Sequence, residues 1–352
     1  MIGLRASLSR PGHIRGKALE ATSVTIMGQE LAIPAGEFDV EYRGPRITTL
    51  ANAFRDNLDS FERIEVDLDT KECTVFTNFL GRAYNPPSVE NKTIKSIDVS
   101  FMDTSSGFFF SKIFSCLSEA EEIKIPRKMI TANVRNATEI FNRCYNLKEI
   151  PDVSDWDVSN LTNLLQMFYS LHSITTPPDV SKWDVRKAVS TSYMFTSNFK
   201  LQQAPDIRNW KLESCTSMNY MFYNCHEMPS PDFSLWTFWN IHDIKEMFNG
   251  CYSIDVLNFS SADFSKVTNV TNTFAKCFSL TRIIGGMKNL KVSISFSDSP
   301  LTHDATVELI GSLYDLAANG LEPQTLTLKA STKETLSDEE IASLTTKGWT
   351  LA

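Results

Sequence analysis

The chain has 352 residues, with 42 acidic against 34 basic side chains and a net charge of −8. Lys and Arg are scattered through an acidic whole, which argues against nucleic-acid binding. No apolar run approaches the ~18 residues a membrane-crossing helix needs, so none is expected.

Residues 1–20 carry Arg5, Arg10, Arg15 and Lys17 against Glu20, a net +3. No apolar segment of roughly 7–15 residues follows, so the start is not read as a secretory leader. It is read as a solvated tail or as a basic arm drawn to an acidic partner. Val24, Ile26, Leu31, Ile33, Phe38, Val40 and Tyr42 alternate with other residues, and Gly28 and Pro34-Ala35-Gly36 are turn signals. This predicts a small antiparallel β unit over 21–45. Residues 1–45 are expected to be the docking end, with an exposed strand edge open to another chain.

From Ile47 to Leu68 the chain resembles one worn copy of a repeat, with Phe54 in phase. Residues 70–110 fit no copy well and read as an insertion or as divergent copies. Then the repeat is plain. Its phasing Phe recurs at Phe114, Phe141, Phe168, Phe195, Phe222, Phe248 and Phe274. A spacing that constant means a stacked array.

Take Phe as position zero. Position −4 is Leu164, Met218, Ile244 or Val270; −1 is Met167, Met194, Met221 or Met247; +3 is Cys144, Leu171, Cys225, Cys251 or Cys277. This i, i+3, i+4, i+7 set predicts a short helix per repeat. Asn136, Asn163, Ser190, Ser217, Asp243 and Asn269 stand at −5, where an N-cap would. A spaced apolar run follows (Leu147 and Ile150, Leu280 and Ile283) and predicts a short parallel strand. Pro151, Pro178, Pro205 and Pro231 fall there and limit its width. Trp156, Trp183, Trp210 and Trp236 recur in phase and are expected in the core. Trp239 breaks phase beside Phe238, so this pair is the candidate interface anchor.

After a last alternating strand to Phe296 the composition changes. Thr302 caps a helix expected to run to Ala317 and end at Asn319-Gly320. Leu326 and Leu328 mark a strand, and Ser337 to Glu340 is a capping box for a second helix.

No chemistry stands out. The seven Cys include no C-x-x-C pair and sit at no metal-ligand spacing with His. They read as small apolar fillers, with disulfides between stacked Cys225, Cys251 and Cys277 as the alternative. Asp155, Asp157 and Asp184 flank Trp residues, but repeat duty explains them better than glycoside hydrolysis. No cofactor, metal or catalytic residue is assigned.

The phrase Asp152-Val-Ser-Asp-Trp156, running on to Met167-Phe168, resembles the repeat D-x-S-x-W…M-F-x-x-C of BspA-like leucine-rich-repeat proteins, over about Thr131 to Ile284. The ending resembles C-terminal caps of repeat proteins from gut Bacteroidetes and their crAss-like tailed phages. The resemblance implies an α/β leucine-rich-repeat solenoid, with a short parallel strand and a short helix per coil, and a role in adhesion or protein binding. The expected layout is a basic arm and β unit at 1–45, the solenoid at 46–296 and a helical α/β cap at 297–352. The expected role is non-enzymatic: a tailed-phage virion component, tail-associated or an appendage, assembled in the bacterial host cytoplasm. It would dock on other virion proteins by its N-terminal region and present the repeat to a host cell-surface protein or glycan. A surface adhesin whose leader was removed, or a purely structural virion protein, is the alternative. The candidate interface residues are Arg5, Arg10, Arg15, Lys17, Phe238 and Trp239.

Overall fold

Backbone hydrogen bonding, more than side-chain pattern, decides the shape of the repeat. The computed structural model describes residues 12–81 and 90–352, and the chain divides after Asp157 into two compact units.

The stretch around each phasing Phe runs as two consecutive turns instead of a helix. The residue at −2 is left-handed every time: Asn52, Asn78, Lys112, Glu139, Gln166, Tyr193, Tyr220, Glu246 and Asn272 have φ between 52 and 60°. The residue at +2 is left-handed too: Cys116, Arg143, Ser170, Ser197, Asn224 and Lys276 have φ of 55–64°, and Gly250 has 78°. In a helix each N–H would bond four residues back. Here the N–H groups of Thr191, Tyr193, Phe195 and Ser197 donate to the carbonyls of Ser217, Asn219, Met221 and Tyr223 in the next repeat, at 2.7–3.1 Å. Met218, Tyr220, Phe222 and Asn224 repeat the pattern onto Asp243, Lys245, Met247 and Asn249. A left-handed non-glycine residue costs roughly 1–2 kcal/mol. Four inter-repeat bonds at about 1 kcal/mol each offset two of them. The side chain at −5 is not a helix cap either. Asn163, Ser190, Asp243 and Asn269 accept the N–H two residues on, at 2.8–3.2 Å, which pins a turn. A leucine-rich-repeat solenoid with a helix per coil is therefore not the fold. Between 46 and 296 the described residues hold no α-helix, and the strands fall into several small separate sheets.

Proline explains where those sheets stop. Where the strand position is Ile123, Leu257 or Ile283, three-residue parallel strands pair with a neighbour. Where a proline falls within that three-residue span, as Pro151, Pro178, Pro205 and Pro231 do, no strand forms, because proline has no N–H to give the ladder.

In the first unit the strands are β1 (Gly12–Ala18), β2 (Thr22–Ile26), β3 (Gln29–Ile33), β4 (Gly36–Tyr42), β5 (Phe61–Asp67), β6 (Ser96–Asp98) and β7 (Glu122–Lys124). β2 and β3 form a hairpin through Met27-Gly28, both with positive φ. The others make one sheet in the order β4-β1-β5-β6-β7, antiparallel as far as β5 and parallel beyond it. A Cβ at Gly16 would lie 2.0 Å from the Arg63 carbonyl oxygen, so glycine permits the close approach of β1 to β5. Ile14, Phe38, Tyr42, Ile64, Val66, Ile97 and Ile123 are buried along the sheet. The described part of residues 70–110 holds a divergent repeat, with Leu80 in the place of Phe. Phe54 N–H bonds Phe79 O, Leu80 N–H bonds Ile113 O, and Phe114 N–H bonds Ile140 O.

In the second unit Phe168, Phe195, Phe222, Phe248, Phe274 and Phe296 stack at centroid distances of 4.8–5.9 Å, near parallel. A flanking row of His172, Phe199, His226, Tyr252 and Phe278 stacks at 4.5–5.5 Å. β8 (Val256–Asn258) pairs with β9 (Arg282–Ile284). The chain ends in a parallel sheet of β10 (Ile294–Phe296), β11 (Gln324–Leu328) and β12 (Trp349–Leu351), with helices α1 (His303–Ser312), α2 (Ala330–Lys333) and α3 (Asp338–Thr346). Thr302 caps α1 and the Ser337/Glu340 capping box opens α3. α1 stops at Ser312, short of Ala317, and Lys347 Nζ donates to its terminal carbonyls at Ile310 and Gly311. No helix among the described residues is long and apolar enough to cross a membrane.

The +3 cysteines are donors as well as fillers. Cys144 Sγ lies 3.1 Å from Phe114 O, and Cys225, Cys251 and Cys277 lie 3.0–3.2 Å from the carbonyls of Phe195, Phe222 and Phe248. Asn198 takes this place in one repeat, with Nδ2 on Phe168 O. All seven thiols are free and buried, and burial pushes that of Cys225 up to about 12.

Candidate interface around Trp239

Four of the six candidate residues are described, Arg15 and Lys17 in the first unit and Phe238 and Trp239 in the second. Arg5 and Arg10 lie outside the described residues. Arg15 and Lys17 are not on an arm or a strand edge: they stand on β1, between β4 and β5. Arg15 bonds Glu65 at 2.8 Å and Asp39 at 3.1 Å, and Lys17 bonds Glu62 at 2.8 Å. The hydrogen bonds that Arg15 donates to Glu65 and Asp39 raise its pKa. Asp39 is held below the usual carboxylate range, first by His13 and then by Arg15. Alternation along β1 places these bases opposite acids of both neighbouring strands, so their charge is answered within the unit.

Phe238 is core, contrary to expectation. It is 2% exposed. Its ring lies 4.9 Å from Phe264, 5.5 Å from Phe259 and 6.2 Å from Trp236. Its φ of 58° turns the chain, and the next side chain, Trp239, emerges 69% exposed. The exposed ring would bury ~100–170 Å², worth roughly 3–4 kcal/mol gross at ~25 cal/mol per Å².

Trp239 walls a hollow of about 250 Å³. Leu235, 50% exposed, and Leu212 line it with the Trp210 and Trp236 indoles. These indoles are fixed. They stack at 6.4 Å and donate Nε1–H to Val180 O at 3.0 Å and to Ile207 O at 2.9 Å. The rim is knitted as well: Asn240 donates to Glu213 O at 2.6 Å and accepts from Lys266 at 3.0 Å. The hollow is thus preformed, apolar inside and polar at its rim, as a binding pocket requires.

Leu235, Leu212 and the rim escaped the sequence reading, although a signal was present. The residue before the in-phase Trp is Asp155, Lys182 or Asn209 in the other repeats and Leu235 here. The residue three after it is Ser159, Arg186 or Glu213, and Trp239 here. Two outward positions turn apolar in one repeat, where packing gives no reason for it.

A larger, open depression of about 720 Å³ lies in the first unit, where Pro151 ends the sheet beside β7. Its wall carries the ion pairs Lys148–Glu121 and Lys124–Glu122 and no aromatic ring. No group of three His, Cys, Asp or Glu that could hold a metal occurs among the described residues.

These features define a repeat protein of stacked turns with a preformed apolar hollow. The profile of a family described as "Mycoplasma protein of unknown function, DUF285" matches residues 109–231 and 174–287, just over half of the chain. The chain belongs to this family. No curated protein matches it.

Proposed function

We propose that this chain is a non-enzymatic binding protein that works as a component of a tailed-phage virion and recognises another macromolecule through the Trp239 hollow. One observation carries the binding reading: a preformed pocket with an exposed Trp at its mouth, in the one repeat where two outward positions are apolar. The ending's resemblance to caps of crAss-like phage proteins supports the virion setting. Attachment through the N-terminal unit belongs to the same proposal. Arg15 and Lys17 are spent on ion pairs, so attachment uses the outer edge of β4, which pairs with β1 on its other side.

The test is a double variant, Trp239→Ala with Leu235→Ser, introduced into the native particle. The proposal expects normal folding, normal incorporation and loss of host or partner association. Unchanged association would refute the role of the hollow, and absence of the chain from purified particles would refute the virion setting.

A further inference from the structure

The Trp239 hollow does not stand alone. A second, more open depression of about 570 Å³ lies beside it, lined by Asn160, Asp184, Arg186 and Lys187. Glu213 lines both. The two make one strip across successive repeats, and its chemistry changes along its length. One end is apolar, at Trp239 and Leu235. The other is charged, with Arg186 and Lys187.

The balance on this strip is basic, against the net −8 of the chain. Arg186, Lys187 and Lys211 face Asp184 and Glu213 as lining residues, and Lys266 reaches in through Asn240. Arg186 bonds Asp184 through Nε at 2.9 Å and Nη2 at 2.6 Å, which holds the guanidinium in one plane. Its Nη1 has no partner among the described residues, and neither does the Lys211 ammonium. Lys187 spends one bond on Asn160, at 2.5 Å, and an ammonium has three to give. At about 250 Å³ the hollow falls below the ~300–1,000 Å³ of small-molecule pockets and suits a single side chain.

We propose that the strip from Arg186 to Trp239 docks an acidic segment of another protein, which seats one large apolar side chain between Trp239 and Leu235 and lays carboxylates against Arg186, Lys187 and Lys211. This rests on the binding reading above and adds the chemistry of the partner. An aromatic or leucine anchor supplies the desolvated centre of such an interface, and the bases set its register and steer its approach.

The test selects a random-peptide display library on the immobilised full-length protein, with Trp239→Ala as the counter-selection. The expected winners carry one Trp, Phe or Leu flanked by Asp or Glu. Their affinity should fall about tenfold in Arg186→Glu and again at high salt. Lys211→Glu is the second variant, at an exposed site, and should act in the same direction. Basic or uncharged winners would overturn the proposal, as would a selection that yields no Trp239-dependent peptide. If simple pyranoses bind in a Trp239-dependent way while acidic peptides do not, the hollow is a binding site and only the partner class is wrong. If the particle assay of the double variant also shows no loss, the binding reading falls with it.

Discussion

The turns of the second unit and the helices that follow them were announced by the same cues. Asn163, Ser190 and Ser217 look like caps, and so do Thr302 and Ser337. Both regions show apolar residues three and four apart. Yet one became turns and the other α1 and α3. The difference lies in what the backbone can bond to. A tandem copy one repeat away offers a row of carbonyls at the right spacing, whereas α1 and α3 bond within themselves, Thr306 N–H to Thr302 O and Ile341 N–H to Ser337 O. Local preference agrees. Repeat segments such as Ser190-Thr-Ser-Tyr-Met-Phe-Thr-Ser197 hold one good helix former, Met194, whereas α3 holds Glu339, Glu340, Ala342 and Leu344.

Two Trp residues three apart give the largest expected effect. Trp236→Ala should cost ~3–5 kcal/mol in thermal or denaturant unfolding, as large-to-small core changes do. Trp239→Ala should stay within about 0.5 kcal/mol, as exposed positions do. Equal losses would mean that Trp239 is a packing residue and that the hollow is only a gap.

Next comes the thiol ladder. Cys225→Ala leaves the Phe195 carbonyl without its donor and should cost about 1–2 kcal/mol. Thr302→Ala, which removes the α1 cap, should cost about 1 kcal/mol. A free thiol column that tolerates Ala without loss would show that the sulfur only fills space.

Glycine separates turn from helix directly. Ala342→Gly, on the exposed side of α3, should destabilise by about 1 kcal/mol. Lys276→Gly, left-handed at φ 55°, should be neutral or stabilising by up to about 1 kcal/mol. A loss of the same size at both sites would favour a helix around Phe274.

These contrasts also mark what the sequence could convey. The buried set was legible: the Phe row, the in-phase Trp and the Met at −1 are all inside. Apolar spacing reports which residues are covered, whatever the backbone does between them. The hydrogen-bond partner was not legible, because turns pinned by Asn163 and Asn269 bury the same positions that a helix would. Pro151, Pro178, Pro205 and Pro231 did report where strands fail. Leu80 hid a repeat by replacing Phe. Phe238 misled because its neighbour shares its aromatic character and not its environment. Arg15 and Lys17 looked available because their partners, Asp39, Glu62 and Glu65, are distant in sequence.

The smallest effect concerns pH. His226 is stacked between Phe199 and Tyr252, and burial lowers its pKa from the ordinary 6.5. The unfolded chain binds this proton more readily, so the contribution of His226 is fully present above about pH 6.5 and shrinks as pH falls below it. His226→Phe should flatten the melting temperature of the protein across that range. An unchanged slope would place the acid sensitivity elsewhere.

The central claim is that repeats bond to one another in place of coiling into helices, and hydrogen-bond partners can be read in solution. Scalar couplings across hydrogen bonds, measured on the deuterated protein, should connect the amide nitrogen of Phe195 to the carbonyl carbon of Met221. The same experiment should connect Phe222 to Met247. A coupling from Phe195 to Thr191, four residues back, would contradict the account and restore a helix to every repeat.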